Sequence, residues 1–517
     1  MRIPKHIRDN LRFLVAEVGS QVAILRDCFR TSGTADSQRI LERSGYAYNL
    51  MLRIHEACHS HRSRVGERSS GLAALRAIES IATELERISG LCRESVGQLE
   101  QLEGQHLHGA STYRLMLKRV GKAIDRVEPA VRNNDTRLAL KIGRAIPGLD
   151  KAYNRLLKKY TRGLQKSGRT EDLVTGLFMA HGVDQMGDAL LAISEAIISA
   201  NLGQPMNIER YQSLRASVGQ LDKVDDPSAL VIEPLAETRS GSGISGIGLP
   251  DRRAGDYVAI YKDGKRRKLR EERRGLQSWQ EKFPGLAPRV LDYRKRGQSA
   301  SLLIEHLAGL TFEQLLLHES SKRLKESLAE LNTTMARVWQ ETRTGKPVAA
   351  GFMRQLSRRL EEVYMIHPEF RQRDCQVCGL SVPSFSTLLK KAHARESRIS
   401  APFSVYIHGD FNVDNIIYDP AEKKISFIDL HRSRYMDYVQ DVSVFMVSNY
   451  RLQIFDAPMR RRILALTCEF YRFASEFAHK SNDRTFELRL ALGLARSFAT
   501  STRFILDNTL AHAMFMR

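Results

Sequence analysis

The chain has 517 residues, of which 42% are hydrophobic and 27% are charged. These values are ordinary for globular proteins, and the length predicts about three domains. The formal net charge of +21 favours polyanionic ligands such as nucleotides. No RNA-binding aromatic signature or helix-turn-helix pattern accompanies the charge, so it does not by itself predict a nucleic-acid partner.

No apolar run reaches the roughly 18 residues that a transmembrane segment needs. Asp9 and Glu17 lie where a signal peptide would need an uncharged core, so we expect none.

The six cysteines are scattered along the chain without a disulfide framework. This usage is typical of a reduced compartment, and we expect a cytoplasmic protein. Cys375 and Cys378 form a single C-x-x-C pair, which cannot supply the four ligands of a zinc site and has no βαβ context for a redox role. We therefore interpret this pair as a coincidence.

Residues 1–215 carry an almost continuous helical pattern. Apolar residues recur at spacings of three and four, for example at Leu72, Leu75, Ile78, Ile81, Leu85 and Ile88. Breaks occur at the Pro-Gly pair of 147–148 and at 203–205. Long amphipathic helices with short connections predict an all-α antiparallel bundle.

Two segments of this half resemble one another, ELERISGLCRESVGQL at 84–99 and VDQMGDALLAISEAII at 183–198. Both resemble the signature helix of the PhoU family, whose members are tandem three-helix bundles tied to phosphate transport and phosphate signalling. The resemblance implies a PhoU-like helical bundle at 1–215. Such a module could sense phosphate status or bind a protein partner.

In that family an acidic pair at positions i and i+4 of the signature helix binds metal clusters. Glu86 fits the first acidic position of the first repeat, but Gly90 replaces the second. Asp184 and Asp188 supply both positions in the second repeat, one turn apart on the same helix face. The resemblance therefore leaves a metal site open for the second repeat, and we favour the alternative that these are ordinary surface carboxylates.

Residues 216–228 are polar and predict a linker, after which strand signals begin at Leu230. The segment SGSGISGIG at 240–248 contains four glycines, which would allow the backbone to approach phosphates closely. A flexible linker would have the same composition, and both interpretations stay open. The run from Tyr257 to Lys262 predicts a strand that ends in a lysine. A helix follows, and a further strand pattern at 302–307 leads into Gly309.

The segment SVYIHGDFNVDNIIYDPAEKKISFIDLHRS at 404–433 is the most informative part of the chain. Two strand-like runs flank the turn-like pair at 419–420 and predict a hairpin. The hairpin would bring Asn415 beside Asp429, with Asp410 in the loop that precedes it. Carboxylate and amide oxygens grouped in this way suit Mg²⁺, and a remaining aspartate could deprotonate an attacking hydroxyl. The arrangement favours phosphoryl transfer.

This combination of H-x-D-x-x-x-x-N with a second Asp after a hairpin resembles the catalytic segment of the aminoglycoside phosphotransferase family, which has the protein-kinase-like fold. The resemblance covers about residues 228–500. It implies that Asp410 is the catalytic base, that Asn415 and Asp429 bind Mg²⁺, and that His408 supports the loop without acid-base chemistry. Asp441 would brace the loop, although a helix-capping role is the alternative.

The same resemblance implies a nucleotide site for ATP. Lys262 would hold the phosphates and pair with an acidic residue of the next helix, for which Glu272 is the first candidate and Glu271 the second. Backbone groups from Glu305 to Leu307 would bind the adenine edge. The fold class is therefore an all-α bundle followed by an α+β kinase-like domain. Its N-terminal lobe would span 229–308, and its C-terminal lobe 309–517, with a helical substrate insert at about 310–400.

We therefore expect an ATP-dependent kinase that acts on a hydroxyl of a small molecule. Aminoglycosides are cations, and a strongly basic chain fits them poorly, so the family name does not identify the substrate. The alternative is a regulatory or scaffold protein of phosphate homeostasis that senses nucleotide with little turnover. The intact set of Lys262, Asp410, Asn415 and Asp429 argues for the enzyme.

Overall fold

The computed structural model describes residues 3–30, 34–65, 71–101, 109–165, 170–203, 205–219, 231–237, 243–248 and 257–517. These residues form two compact units, of which the first extends through Tyr257 and the second begins at Val258.

The first unit is predominantly helical. Its described helices are α1 (Lys5–Cys28), α2 (Thr34–Glu42), α3 (Ser44–Val65), α4 (Gly71–Glu100), α5 (Ala110–Ile124), α6 (Val127–Arg132), α7 (Thr136–Gly143), α8 (Ile146–Leu164), α9 (Thr170–Leu202) and α10 (Ile208–Val218). The long helices α1, α3 and α4 pack together, as do α5, α8 and α9, and α4 packs along α9. The two segments that resemble one another in sequence lie on α4 and α9. The predicted helical bundle is confirmed.

The sequence pattern explains how these helices pack and end. The predicted apolar stripe of α4 is buried from Leu75 to Ile88, with Leu72 partly exposed. Gly203 ends α9 in the left-handed conformation, with a φ of +68° that other residues rarely adopt. Pro147 lies in the first turn of α8, where its missing N–H costs no helical hydrogen bond.

The region after the bundle differs from the prediction in two ways. Helix α10 runs to Val218, so the first residues of the predicted linker 216–228 are helical. Residues 220–228 of that linker lie outside the described residues. Residues 243–248 are not a linker but the strand β2 (Gly243–Gly248), which pairs antiparallel with β1 (Val231–Glu237). Close approach of this segment to phosphates stays a prediction. Ser245 and Ile247 are buried in it, and Gly246 leaves room for the ring of Tyr257. Residues 240–242 lie outside the described part, and the predicted boundary at 228 stays a prediction.

The second unit mixes strands and helices. Its elements are β3 (Tyr257–Lys265), α11 (Arg266–Lys282), β4 (Val290–Arg296), β5 (Ser299–Glu305), β6 (Leu310–Thr311), α12 (Phe312–His318), α13 (Ser321–Glu341), α14 (Phe352–Ser357), α15 (Leu360–Ile366), β7 (Cys375–Val377), β8 (Leu380–Val382), α16 (Phe385–Glu396), β9 (Val405–Ile407), β10 (Ile416–Asp419), β11 (Lys424–Phe427), β12 (Arg434–Met436), α17 (Val439–Tyr450), α18 (Ala457–Lys480), α19 (Phe486–Thr502) and α20 (Asn508–Phe515). Strand β5 lies between β3 and β4, antiparallel to both. The predicted α+β class is confirmed.

The described residues of this unit also form three smaller sheets. Strand β10 pairs with β11 and with β6, β9 pairs with β12, and β7 pairs with β8, all antiparallel. The β7–β8 hairpin lies inside the segment predicted as a helical insert, so that insert is not helical throughout. Cys375 and Cys378 lie exposed on this hairpin. No helix within the described residues is long and apolar enough to cross a membrane.

Candidate active site

The β10–β11 hairpin brings two of the predicted site residues together. Its register pairs Ile416 with Phe427, and the N–H of Ile428 donates to the carbonyl oxygen of Asn415 at 3.0 Å. Asn415 therefore enters the hairpin at the level where Asp429 leaves it. This is the arrangement that the sequence predicts for the two residues.

The β9–β12 strand pair frames the same region. Because the two strands are antiparallel, the residues that follow β9 lie beside those that precede β12. Gly409 lies at this close approach with a φ of +86°, and a Cβ atom there would meet the carbonyl oxygen of Arg432 at 2.5 Å. Glycine is therefore required immediately before Asp410.

Asp441 holds the loop that carries Asp410. Its carboxylate accepts the N–H groups of His408 and Gly409, each at 2.8 Å. It lies inside the first turn of α17, whose N-cap residue is Tyr438, so Asp441 braces the loop and does not cap the helix. Burial raises the pKa of Asp441 to about 7, although the two backbone N–H groups oppose that shift.

His408 supports the loop from its buried side. Its Nε2 lies 3.0 Å from the carbonyl oxygen of Ile428, and its Nδ1 accepts the N–H of Asp410 at 3.3 Å. Together these contacts require a neutral imidazole with its proton on Nε2. Burial lowers the pKa of His408 to about 4, against the opposing effect of Asp410 and Asp429. The contacts agree with the predicted supporting role.

Asp410 has one carboxylate oxygen engaged and one free. Oδ1 accepts hydrogen bonds from Arg432 Nη1 and Asn412 Nδ2, both at 3.1 Å, and its carbonyl oxygen accepts Asn415 Nδ2 at 2.9 Å. Oδ2 makes no hydrogen bond to the described part of the chain. A hydroxyl group could therefore approach Asp410 at Oδ2.

Lys262 and Glu272 form a buried ion pair between β3 and α11. Lys262 is 7% exposed and Glu272 1%. Burial alone would lower the pKa of Lys262, but Glu272 and then Asp429 outweigh it, so the pKa is raised. Glu271, the second candidate, instead pairs with Arg267 at the surface, at 3.1 Å. The structure therefore selects Glu272 as the partner of Lys262.

Helix α11 lies close against the loop after Asp429. A Cβ atom at Gly275 would meet the carbonyl oxygen of Leu430 at 2.0 Å, so only glycine permits this approach. One turn further on, Trp279 Nε1 donates to Ser433 Oγ at 2.8 Å, and Ser433 Oγ donates to the carbonyl oxygen of His408 at 3.1 Å. These contacts link the helix that carries Glu272 to the loop that carries Asp410.

Asp429 and Asn415 form a donor set that suits Mg²⁺. Asp429 has a φ of +58°, a strained value for a residue other than glycine. Burial alone would raise its pKa, but the hydrogen bond from His431 and the charge of Lys262 lower it well below the usual range. His431 engages Asp429 Oδ1 at 3.0 Å, which leaves Oδ2 without a protein hydrogen bond among the described residues. Asn415 Oδ1 is equally free.

Mg²⁺ typically takes one or two protein oxygens and completes its shell with water and substrate phosphates. The residues present therefore fit the ion. Among the described residues, no group of three or more His, Cys, Asp or Glu side chains could hold a metal on its own.

The predicted adenine-binding segment follows β5. The N–H of Glu305 donates to the carbonyl oxygen of Arg289 at 2.9 Å, and its side chain pairs with the Arg289 guanidinium at 3.1 Å. Burial alone would raise the pKa of Glu305, but Arg289 lowers it. The backbone of Leu307 makes no hydrogen bond within the described part of the chain, so its N–H is available to a ligand.

Comparison with known proteins gives a family for part of the chain. Residues 252–477 match the family model described as a phosphotransferase enzyme family. The match covers less than half of the chain and lies almost entirely in the second unit. A comparison with curated proteins found no match.

Solved structures of two kinds are similar to the chain. PhoU from Pseudomonas aeruginosa is 20% identical, with a TM-score of 0.37, and the match covers 38% of this chain and 95% of that one. An aminoglycoside-3'-phosphotransferase of type VIII is 17% identical, with a TM-score of 0.37, over 56% of this chain and 98% of its own. A glucosamine kinase is 14% identical, with a TM-score of 0.34, over 59% and 79%. These matches include both families that the sequence resembles.

The second unit has a pocket beside Asp410 that the sequence did not predict. We call it the basic pocket; its volume is about 370 Å³, and the side chains that matter here are Arg359, Asp410, Arg432, Arg434, Gln440 and Arg496. Arg432 and His431 lie three and two residues after Asp429, so their proximity could have been read from the sequence. Arg359 and Arg496 lie far from the motif in sequence, and only the fold brings them to it.

In the bundle, Asp184 and Asp188 lie one turn apart on α9 as predicted. Burial, then Asp150 and Asp188, raise the pKa of Asp184, and Asp188 accepts a hydrogen bond from Gln185 at 3.1 Å. In the other repeat, Glu86 pairs with Arg93 at 3.1 Å. A metal-binding role for Asp184 and Asp188 stays untested.

Proposed function

We propose that the chain is an ATP-dependent kinase that transfers the γ-phosphoryl group of ATP to a hydroxyl of a small molecule. One observation carries the proposal: the buried Lys262–Glu272 ion pair lies next to Asp429, in the same site as Asp410 with its free oxygen. The family of residues 252–477 supports the same class of reaction.

Each residue has a role in this proposal. The hydroxyl oxygen of the acceptor attacks the γ-phosphorus while Asp410 accepts the hydroxyl proton. Lys262, oriented by Glu272, contacts the phosphates, and the backbone from Glu305 to Leu307 contacts the adenine edge. Asn415 and Asp429 hold Mg²⁺, which when bound would neutralise charge on the phosphates.

A second candidate is a regulatory protein of phosphate homeostasis that senses nucleotide with little turnover. The ion pair between Arg432 and Asp410 favours it, because this contact competes with an acceptor for the carboxylate. Arg432 is 43% exposed at its side chain, so it can move away from Asp410 without disturbing the core, and we favour the enzyme. We propose a cytoplasmic location, since all six cysteines are free thiols.

Nucleotide binding tests the proposal directly. Mg-ATP should raise the melting temperature of the full chain, because a ligand that binds only the folded state stabilises it. ATP with EDTA gives the metal-independent part of the shift. The Asp429→Ala variant should show the same melting-temperature shift with Mg-ATP as with ATP and EDTA. An equal difference in wild type and variant would contradict the metal assignment, and no shift under either condition would contradict ATP binding.

A further inference from the structure

The lining of the basic pocket contains more arginines than carboxylates. Four arginines line it, at 359, 432, 434 and 496, and the carboxylate among its lining residues is Asp410. Asp410 is already paired with Arg432, at 3.1 Å. The remaining arginines therefore face the pocket without a carboxylate of its lining to balance them.

Arg496 is the most constrained of these cations. It is 4% exposed, and its Nη2 donates to the side-chain oxygens of Gln440 and Ser443, at 3.1 and 3.3 Å. Its Nε has no hydrogen-bond partner among the described residues. Burial, and after it the charge of Arg359, lowers the pKa of Arg496 to about 9. The charges of Asp410 and Asp441 oppose this shift without outweighing it. A buried guanidinium that forms no ion pair is costly to the fold.

Arg359 adds a second cation, on which the charges of Asp410 and Glu362 act only at a distance. It is half-buried, and its side chain forms no hydrogen bond or ion pair with the described residues. Burial first, then Arg432 and Arg503, lower its pKa. Arg503 itself is paired with Glu362. Arg359 and Arg496 thus present two positive charges to one pocket that also contains Asp410.

We propose that the acceptor is a phosphate monoester with a free hydroxyl, whose phosphate group is bound by Arg359 and Arg496 while its hydroxyl reaches Asp410. Two guanidinium groups match the charge of a phosphate dianion, and guanidinium geometry suits phosphate oxygens. The pocket volume of about 370 Å³ falls within the range of small-molecule sites, roughly 300–1,000 Å³. A cationic amine would meet like charge there.

This inference rests on the proposed kinase activity. In the reaction, a bond forms between the acceptor hydroxyl oxygen and the γ-phosphorus, and the bond from the γ-phosphorus to the β–γ bridging oxygen breaks. The hydroxyl proton goes to Asp410, and ADP leaves. The product is a bisphosphate.

Calorimetric binding to the full chain tests the acceptor class without requiring turnover. Glycerol, glycerate and glycerol 3-phosphate serve as neutral, carboxylate and phosphate probes that share a free hydroxyl, with inorganic phosphate as a fourth. Wild type should bind the two phosphate probes at least about 10-fold more tightly than glycerate and glycerol. Arg359→Gln should weaken phosphate binding about 10-fold, and Arg359→Lys by less, since it keeps the charge but loses the fork of donors.

Arg358→Gln is the matched control, because Arg358 is the exposed neighbour of Arg359 and should leave phosphate binding unchanged. Equal phosphate binding in wild type, Arg359→Gln and Arg359→Lys would overturn the proposal, as would tighter binding of glycerate or glycerol, or no phosphate binding at 10 mM. The shift in melting temperature with Mg-ATP distinguishes failure of the proposed acceptor class from failure of the proposed kinase activity. A wild-type chain that keeps this shift but fails the phosphate test has the wrong acceptor class, whereas loss of the shift removes the kinase proposal itself.

Discussion

At the scale of single residues, the candidate site depends on which oxygens the protein leaves free. One carboxylate oxygen of Asp410 accepts a hydrogen bond from Arg432. The amide nitrogen of Asn415 donates to the carbonyl oxygen of Asp410, and one carboxylate oxygen of Asp429 contacts His431. Each keeps one oxygen without a hydrogen bond to the described residues. Side chains held by one atom and open at another are already oriented before a ligand arrives.

Asp410→Asn tests the role of the base. We expect turnover to fall by roughly 100-fold or more, the usual contribution of a positioned general base, while the affinity for Mg-ATP changes little. Glu422→Gln, an exposed carboxylate-to-amide change in the β10–β11 turn, is the control and should retain wild-type rates. Steady-state kinetics with both substrates measures the effect. Wild-type turnover in Asp410→Asn would remove the assignment.

His408 predicts a pH dependence of stability. Its pKa is lowered by burial to about 4 in the folded chain, from an ordinary value of 6.5. Below pH 6.5 the unfolded chain therefore binds a proton that the folded chain does not, so the stabilising contribution falls as the pH drops from about 6.5 to about 4. At pH 5 the loss is roughly 2 kcal/mol.

The melting temperature of wild type should therefore decrease more between pH 7.5 and pH 5 than that of His408→Gln, which can still donate to Ile428. Parallel decreases in the two proteins would contradict the neutral, buried imidazole.

Sequence spacing was enough to predict Asp410, Asn415 and Asp429 as neighbours, because a short hairpin returns the chain to its start. The same reasoning could not find Arg359 and Arg496. These residues lie on either side of the motif in sequence, and no local pattern indicates that α19 and the α14–α15 connection meet beside Asp410. Residues brought together by tertiary packing leave no periodic signal in a single sequence.

At the scale of secondary-structure elements, the decisive contact is that between β3 and α11. The resemblance favours Glu272 over Glu271 as the partner of Lys262, and the structure contains this ion pair. The glycine-rich segment was harder to interpret. Residues 243–248 form a strand in which Gly246 lies against the ring of Tyr257, and composition alone does not reveal that packing.

Glu272→Gln tests the β3–α11 ion pair. Without Glu272, the charge of Asp429 still attracts Lys262, and the ammonium group should move away from the phosphate position. We expect kcat/KM for ATP to fall at least about 10-fold, a loss typical of a charge-assisted hydrogen bond. Glu271→Gln, one residue away and paired only at the surface, should stay within about two-fold. Equal effects of the two substitutions would contradict the assignment of Glu272.

At the scale of the whole molecule, the chain joins a helical bundle to a second unit, in which most of the match to the phosphotransferase enzyme family lies. We propose that the bundle biases the kinase in response to phosphate status or a bound partner. Such coupling requires a ligand that prefers one of two states of the protein. Asp184 and Asp188 are the pair through which a metal-linked signal could enter.

Kinase rates of the full chain, with and without added phosphate and Mn²⁺, test this coupling. We expect a change of at least about two-fold in wild type, within the usual range of coupling energies. The Asp184→Asn/Asp188→Asn double variant should lose the part of the rate change that depends on Mn²⁺. Glu171→Gln, an exposed change on the same helix, is the control and should keep it. The same response in the double variant would exclude this pair as the route, and no response in wild type would leave the bundle as a docking module.

The central claim is that this chain transfers phosphate from ATP through Asp410. ADP formation by the purified full chain, measured across a panel of hydroxyl compounds and their phosphate monoesters beside Asp410→Asn, tests it most directly. We predict acceptor-dependent ADP formation that requires Mg²⁺ and falls roughly 100-fold or more in the variant. Equal rates in wild type and Asp410→Asn, or Mg-ATP binding with no ADP formation for any acceptor, would contradict the claim.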